Sequence, residues 1–197
     1  AYRLSQSDED EETNHRLVGE NHPNGAILHY YIKELKENDK VSLEIKEKDG
    51  TLIQYFSNTT KLNDLDPEKG LPLDVKSGSN RLIWNMRYPG FKEFEGMVFY
   101  SSPNIGPKAI PGEYIISLNY NGVTKEQLLQ IVKDPRLENT QEDYKDQFDF
   151  LINVRNEVSR ANSAIIKIHE IKKDLNYLRK KNGLANEIKD YINWFEK

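Results

Sequence analysis

The spacing of apolar side chains divides the chain into a region of period two and a region of period near three and a half. Residues 26–32 (AILHYYI) are rich in aromatic and β-branched side chains and follow the turn-forming Asn21-His22-Pro23-Asn24-Gly25, which predicts a strand. Val41, Leu43 and Ile45 alternate with Ser42, Glu44 and Lys46, the period of a half-buried strand. Asp49-Gly50 predicts a hairpin into residues 51–57, and residues 58–79, dense in Asn, Asp, Gly and Pro, read as loop. In residues 80–88 (NRLIWNMRY), Leu82, Trp84 and Met86 share a face, which places Trp84 in a core rather than on a sugar-stacking surface. Tyr114, Ile116, Leu118 and Tyr120 do the same in residues 113–120, and Asn121-Gly122 predicts a tight return along 123–132. Six or more strands with no helix between them predict stacked antiparallel sheets.

The period changes after Pro135. Thr140 with Asp143 approximates a capping box. Tyr144, Phe148, Leu151, Val154, Val158, Ala161, Ile165, Ile168, Ile171, Leu175 and Leu178 then recur at a mean step of about 3.4 residues, close to a heptad seam. Neither Pro nor Gly interrupts before Gly183, so a helix over 141–182 is expected, capped by Asn182-Gly183. Leu184, Ile188, Tyr191, Ile192 and Phe195 give a second amphipathic stretch that folds back over 184–196. Asn162 and Ser163 interrupt the seam with polar side chains, which favours a hairpin over a long regular coiled coil. The predicted class is therefore α+β: an immunoglobulin-like antiparallel β-sandwich over 21–135, then an α-helical hairpin over 136–197. Residues 1–20, polar and holding five consecutive acids at 8–12, read as a linker.

Composition narrows the chemistry. The chain has 197 residues, a net charge of −4 and no cysteine, so thiol catalysis, disulfides and cysteine-ligated zinc are excluded. Lys and Arg form no basic stripe, and no nucleic-acid partner is expected. No apolar run reaches the ~18–20 residues that span a bilayer. The first residues lack the apolar stretch of a signal peptide, and a chain opening at Ala1 is expected to be part of a longer one.

Candidate chemistry is sparse. His15, His22, His29 and His169 are far apart and share no metal-ligand spacing. Residues 64–70 alternate acids before a glycine but lack the closing glutamate of a calcium loop, so they read as a solvated turn. Asn58-Thr59-Thr60 fits a glycosylation sequon, which a bacterial source would leave without meaning. No catalytic residue, cofactor site or metal site is predicted. The unusual feature is the loop 89–111. Together with Tyr88 it holds Phe91, Phe94, Phe99 and Tyr100, more aromatic surface than a solvated loop carries. Three readings stand: a loop folded down over the sandwich or helix, a docking surface for a neighbouring domain, and a ligand site.

The string Asn80-Arg81-Leu82-Ile83-Trp84-Asn85-Met86-Arg87-Tyr88-Pro89-Gly90, with Gly106-Pro107, Pro111-Gly112-Glu113-Tyr114 and Lys133-Asp134-Pro135-Arg136, resembles the C-terminal region of a bacterial family. Its members are large exported proteins of Bacteroidetes type, described as sortilin-like or BNR-repeat "glycosyl hydrolase" proteins. Ala1-Tyr2-Arg3, Asn21-His22-Pro23-Asn24-Gly25-Ala26 and Gln147-Phe148 extend the resemblance along nearly the whole chain, with His22 standing where the family usually has proline. Trp-Asn followed by Pro-Gly-x-Tyr also looks like the immunoglobulin-like modules of flagellar hook-capping and secretion-associated proteins. The resemblance implies an exported parent in which this region follows a β-propeller; the propeller's Asp-box pattern is not in this sequence. It implies no catalytic residue here. The expected role is a non-catalytic accessory module that braces or docks the propeller, with weak self-association through the helices. The rivals are a carbohydrate-binding module using the aromatics of 88–100 and a domain that completes a hydrolase site with the propeller.

Overall fold

The structure, a computed structural model, describes residues 23–60, 70–98 and 104–180. It is mixed α+β. Seven strands are followed by one helix: β1 (Ala26–Ile32), β2 (Val41–Glu47), β3 (Leu52–Ser57), β4 (Leu71–Pro72), β5 (Gly78–Trp84), β6 (Gly112–Tyr120), β7 (Val123–Ile131) and α1 (Gln141–Lys180). β1 and β5 pair antiparallel as a two-stranded sheet, and the other five run in the order β4-β3-β2-β6-β7.

The alternation seen in the sequence becomes the core. Val41, Leu43 and Ile45 of β2 are buried with Tyr114 and Ile116 of β6, and opposite them lie Ile32 of β1 and Trp84 of β5. Trp84 is 1% exposed, its ring edge-on to Tyr114 at 5.8 Å, and its indole N–H donates to the Arg87 carbonyl at 3.1 Å. An apolar ring of that size with its single donor satisfied is a stabilising core element. β3 departs from simple alternation. The register slips between Ile45 and Lys46, so Ile53 and Gln54 are both buried while Leu52 and Tyr55 are not. A bulge of this kind leaves a residue unpaired and re-aims the side chains around it.

Both predicted hairpins form, by different turns. Asn121 and Gly122 take positive φ (48° and 87°), the two-residue turn that Asn-Gly favours. At Asp49-Gly50 only Gly50 is left-handed (φ 92°), and the Glu47 amide bonds the Thr51 carbonyl at 2.8 Å around a three-residue loop. β4 was hidden in the predicted loop 58–79. It has two residues, paired parallel with β3, too few to show a period.

The capping box is realised: the Thr140 amide donates to Asp143 Oδ2 at 2.7 Å, and the Asp143 amide to Thr140 Oγ1 at 3.2 Å. α1 then runs 40 residues, ~60 Å, without interruption. It is the one helix among the described residues; Asn182, Gly183 and the expected second helix over 184–196 lie outside them. So do the linker 1–20 and the acidic turn 64–69. No helix is long and apolar enough to cross a membrane among the described residues.

Candidate functional site: the junction of loop and helix

The segment between β5 and β6 is the ligature between the sheets and α1. A short antiparallel bridge ties its two ends: the Tyr88 amide bonds the Pro107 carbonyl at 2.9 Å and the Ala109 amide bonds the Met86 carbonyl at 2.8 Å. Arg87 Nη1 donates to the Gly106 carbonyl at 2.8 Å. Asn104 clamps Phe91 from both directions, accepting from its amide at 2.8 Å and donating to its carbonyl at 2.7 Å, and also reaches Glu93 at 2.7 Å. Gly106 is required by the closeness of these strands. A Cβ there would sit 2.1 Å from the Tyr88 carbonyl oxygen and 2.3 Å from that of Pro89.

Of the aromatic residues singled out in the sequence, Tyr88, Phe91 and Phe94 are half-buried, while Phe99 and Tyr100 lie outside the described residues. Tyr88 packs on Phe148 of α1 at 4.7 Å between ring centres and donates its hydroxyl to Glu47 at 2.7 Å. Burial, then the bonded Glu47 carboxylate, holds its phenol well above the ordinary range. Burial, then the nearby charge of Glu47, pushes Tyr114 up to about 12, while its hydroxyl donates to the Ile110 carbonyl at 2.7 Å. Phe94 meets His169 edge-on at 6.2 Å. The described part of the loop is thus folded onto the helix. It presents no pair of coplanar exposed rings among the described residues.

The helix face that receives the loop shares Phe148 with the predicted seam but otherwise runs beside it. Phe148, Ile152, Arg155, Ser159 and Asn162 fall on one side of α1 at steps of three and four. Asn162, 5% exposed, donates to the Lys92 carbonyl at 2.7 Å. Ser159 accepts from the Lys92 amide at 3.1 Å, and Arg155 Nη1 donates to the Pro89 carbonyl at 3.3 Å. The spacing of the seam predicts that Tyr144 to Val158 lies against the sandwich or its aromatic loop, and only part of it is covered. Tyr144, Phe148 and Val158 are half-buried, but Leu151 and Val154 are 41% and 46% exposed. The reason is the loop's own chemistry. An irregular segment has backbone donors and acceptors to satisfy, so polar helix residues serve it better than a leucine stripe. Asn162, read as an interruption of the seam, is its main anchor. The signal that points to it is the 155-159-162 spacing, a polar stripe beside the apolar one.

Glu47, Asn104, Arg155 and Ser159 were likewise not singled out from the sequence. Glu47 receives Tyr88 and Glu93 receives Asn104, so the carboxylates nearest the loop are engaged in holding it. No cluster of three or more His, Asp or Glu at metal-holding distances occurs among the described residues. Between the β2–β3 hairpin and α1 lies a groove of about 680 Å³, lined by Leu52, Tyr55, Tyr88, Phe148, Ile152 and Arg155 among others. Compared with protein-family models, curated proteins and solved structures, the chain matches none.

Proposed function

We propose that the chain is a non-catalytic interaction module: an immunoglobulin-like sandwich carrying a helical hairpin as a docking arm for a neighbouring domain. Strand order supports the first part. A β1–β5 pair facing β3-β2-β6-β7 corresponds to the B–E pair facing C′-C-F-G in immunoglobulin-like folds.

One observation carries the docking role. α1 binds the loop through a partly polar face and leaves much of its apolar seam uncovered: Leu151, Val154, Ile168, Ile171 and Leu178 are between 39% and 46% exposed. A row of large apolar side chains along one helix marks an interaction surface. The stretch 184–196, with Leu184, Ile188, Tyr191, Ile192 and Phe195, supplies a matching apolar face for the hairpin. At 1.5 Å per residue it reaches only ~20 Å back, enough for Ile168 to Leu178 and not for Leu151 and Val154. The N-terminal part of the seam is left for a partner. By the resemblance, that partner is the β-propeller of an exported parent chain. The engagement of Tyr88 and Phe94 with α1 favours this reading over a sugar-stacking platform.

Two measurements test it. Deleting residues 184–197 is expected to cause self-association in light scattering, by uncovering Ile168, Ile171 and Leu178. A strictly monomeric, fully helical product overturns the hairpin. Leu151→Asp with Val154→Asp in the full chain is expected to abolish binding to the upstream domain of the parent protein supplied in trans. Undiminished binding overturns the docking arm.

A further inference from the structure

The groove between the β2–β3 hairpin and α1 contains a cation that the fold leaves unanswered. Arg155 projects from α1 among Phe148, Ile152, Tyr88, Leu52 and Tyr55. Its Nε is buried and has no hydrogen-bond partner, while Nη1 makes a long bond to the Pro89 carbonyl at 3.3 Å. Among the described residues no acid pairs with it. Burial pulls the guanidinium below its ordinary value, with the nearby Tyr88 phenol opposing the shift. Arginine stays charged regardless, so the result is a positive charge short of compensation beside apolar walls.

We propose that this groove binds a small monocarboxylate with an aromatic or branched aliphatic body, its carboxylate held by the Arg155 guanidinium. Three features select that class. The volume of about 680 Å³ suits a small molecule, and Leu52, Ile53, Tyr55, Phe148 and Ile152 give the groove an apolar wall for its body beside the polar Thr51, Asn156, Ser159 and Ser163. The guanidinium offers planar, charge-assisted donors that match a carboxylate. Of the three cations that line the groove, Arg155, Lys92 and Arg160, the last is paired with Glu157, and Glu47 lines the same groove and repels a second negative charge, which disfavours a phosphate dianion. Leu151 and Val154 are not among the residues that line the groove, and the ligand test below does not depend on the docking role proposed above.

The test uses the full 197-residue chain and observes the Arg155 Nε–H resonance by NMR. Phenylacetate and isovalerate are expected to shift it saturably. Phenylacetamide, with the same body and no charge, is expected to leave it in place. Arg155→Gln is expected to weaken phenylacetate binding at least about tenfold, and Arg155→Lys to weaken it less, because charge survives while the planar fork is lost. Should Arg155→Gln fail to fold, the lysine variant and the acid–amide comparison still decide. No saturable shift with either acid, an equal response to the amide, or undiminished binding by the variants overturns the proposal.

Discussion

Replacing Asn162 with alanine removes the amide that links the middle of α1 to the loop. The side chain is 5% exposed and its Nδ2 donates to the Lys92 carbonyl at 2.7 Å, with Met97 Sδ also within 3.6 Å. Losing an ordinary hydrogen bond costs about 0.5–1.5 kcal/mol, and a buried acceptor left without a donor costs about 1–3 kcal/mol. Because the loop lies at the surface, water recovers part of the second figure, and a net loss of about 2 kcal/mol is expected for docking of this segment. At 1.4 kcal/mol per factor of ten, amide exchange at Lys92, whose N–H is held by Ser159, should accelerate roughly 25–30-fold. Asn162→Asp should be worse than alanine, since its carboxylate faces a carbonyl oxygen with no proton to share. The assay is hydrogen exchange resolved to Lys92, with urea unfolding as the global measure. Exchange within about twofold of wild type, or a well-tolerated aspartate, would refute Asn162 as the anchor.

Trp84→Ala should destabilise the chain by about 3–5 kcal/mol in urea unfolding, as deletion of a fully buried aromatic does; a loss under about 1 kcal/mol contradicts its core position. Gly106→Ala should cost about 1–3 kcal/mol by forcing apart two strands of the loop, and a neutral result means the Tyr88–Gly106 approach is looser than described. Thr140→Ala should cost about 1 kcal/mol of helix stability by removing the N-cap, read by circular dichroism during unfolding. Hydrogen bonds from the Thr140 backbone and hydroxyl hold the Asp143 carboxyl below its ordinary value. Its contribution is then complete above the unfolded carboxylate pKa of about 4 and lost as pH falls through the lower folded value. Asp143→Asn should flatten that acid limb, and an unchanged pH profile removes the carboxylate from the cap.

The elements legible in the sequence are those whose signal is local. Val41, Leu43 and Ile45 reveal β2 because a strand alternates its faces every two residues, and β6 follows for the same reason. Asn121-Gly122 places the last hairpin through its backbone preference, and Thr140 with Asp143 marks the start of α1. Trp84 is assigned to the core from its neighbours two residues away. β4 and the bulge at Ile53 carry no such signal. Each depends on which strand lies alongside and in what register.

The sequence by itself therefore determined the strands of period two, the long helix that begins at Gln141 and the inward position of Trp84, because these follow from contacts within a few residues. Which side of α1 faces the loop was decided only by tertiary structure. Heptad spacing identifies an apolar stripe but says nothing of what it meets. The backbone groups of Pro89 and Lys92 needed polar partners, and Arg155, Ser159 and Asn162 supply them from a neighbouring face. That rotation left Leu151 and Val154 outward and drew Tyr88 and Phe94 onto the helix. It also brought Arg155 beside Leu52 and Tyr55, about a hundred residues distant in the chain, and so built a groove that no local pattern encodes.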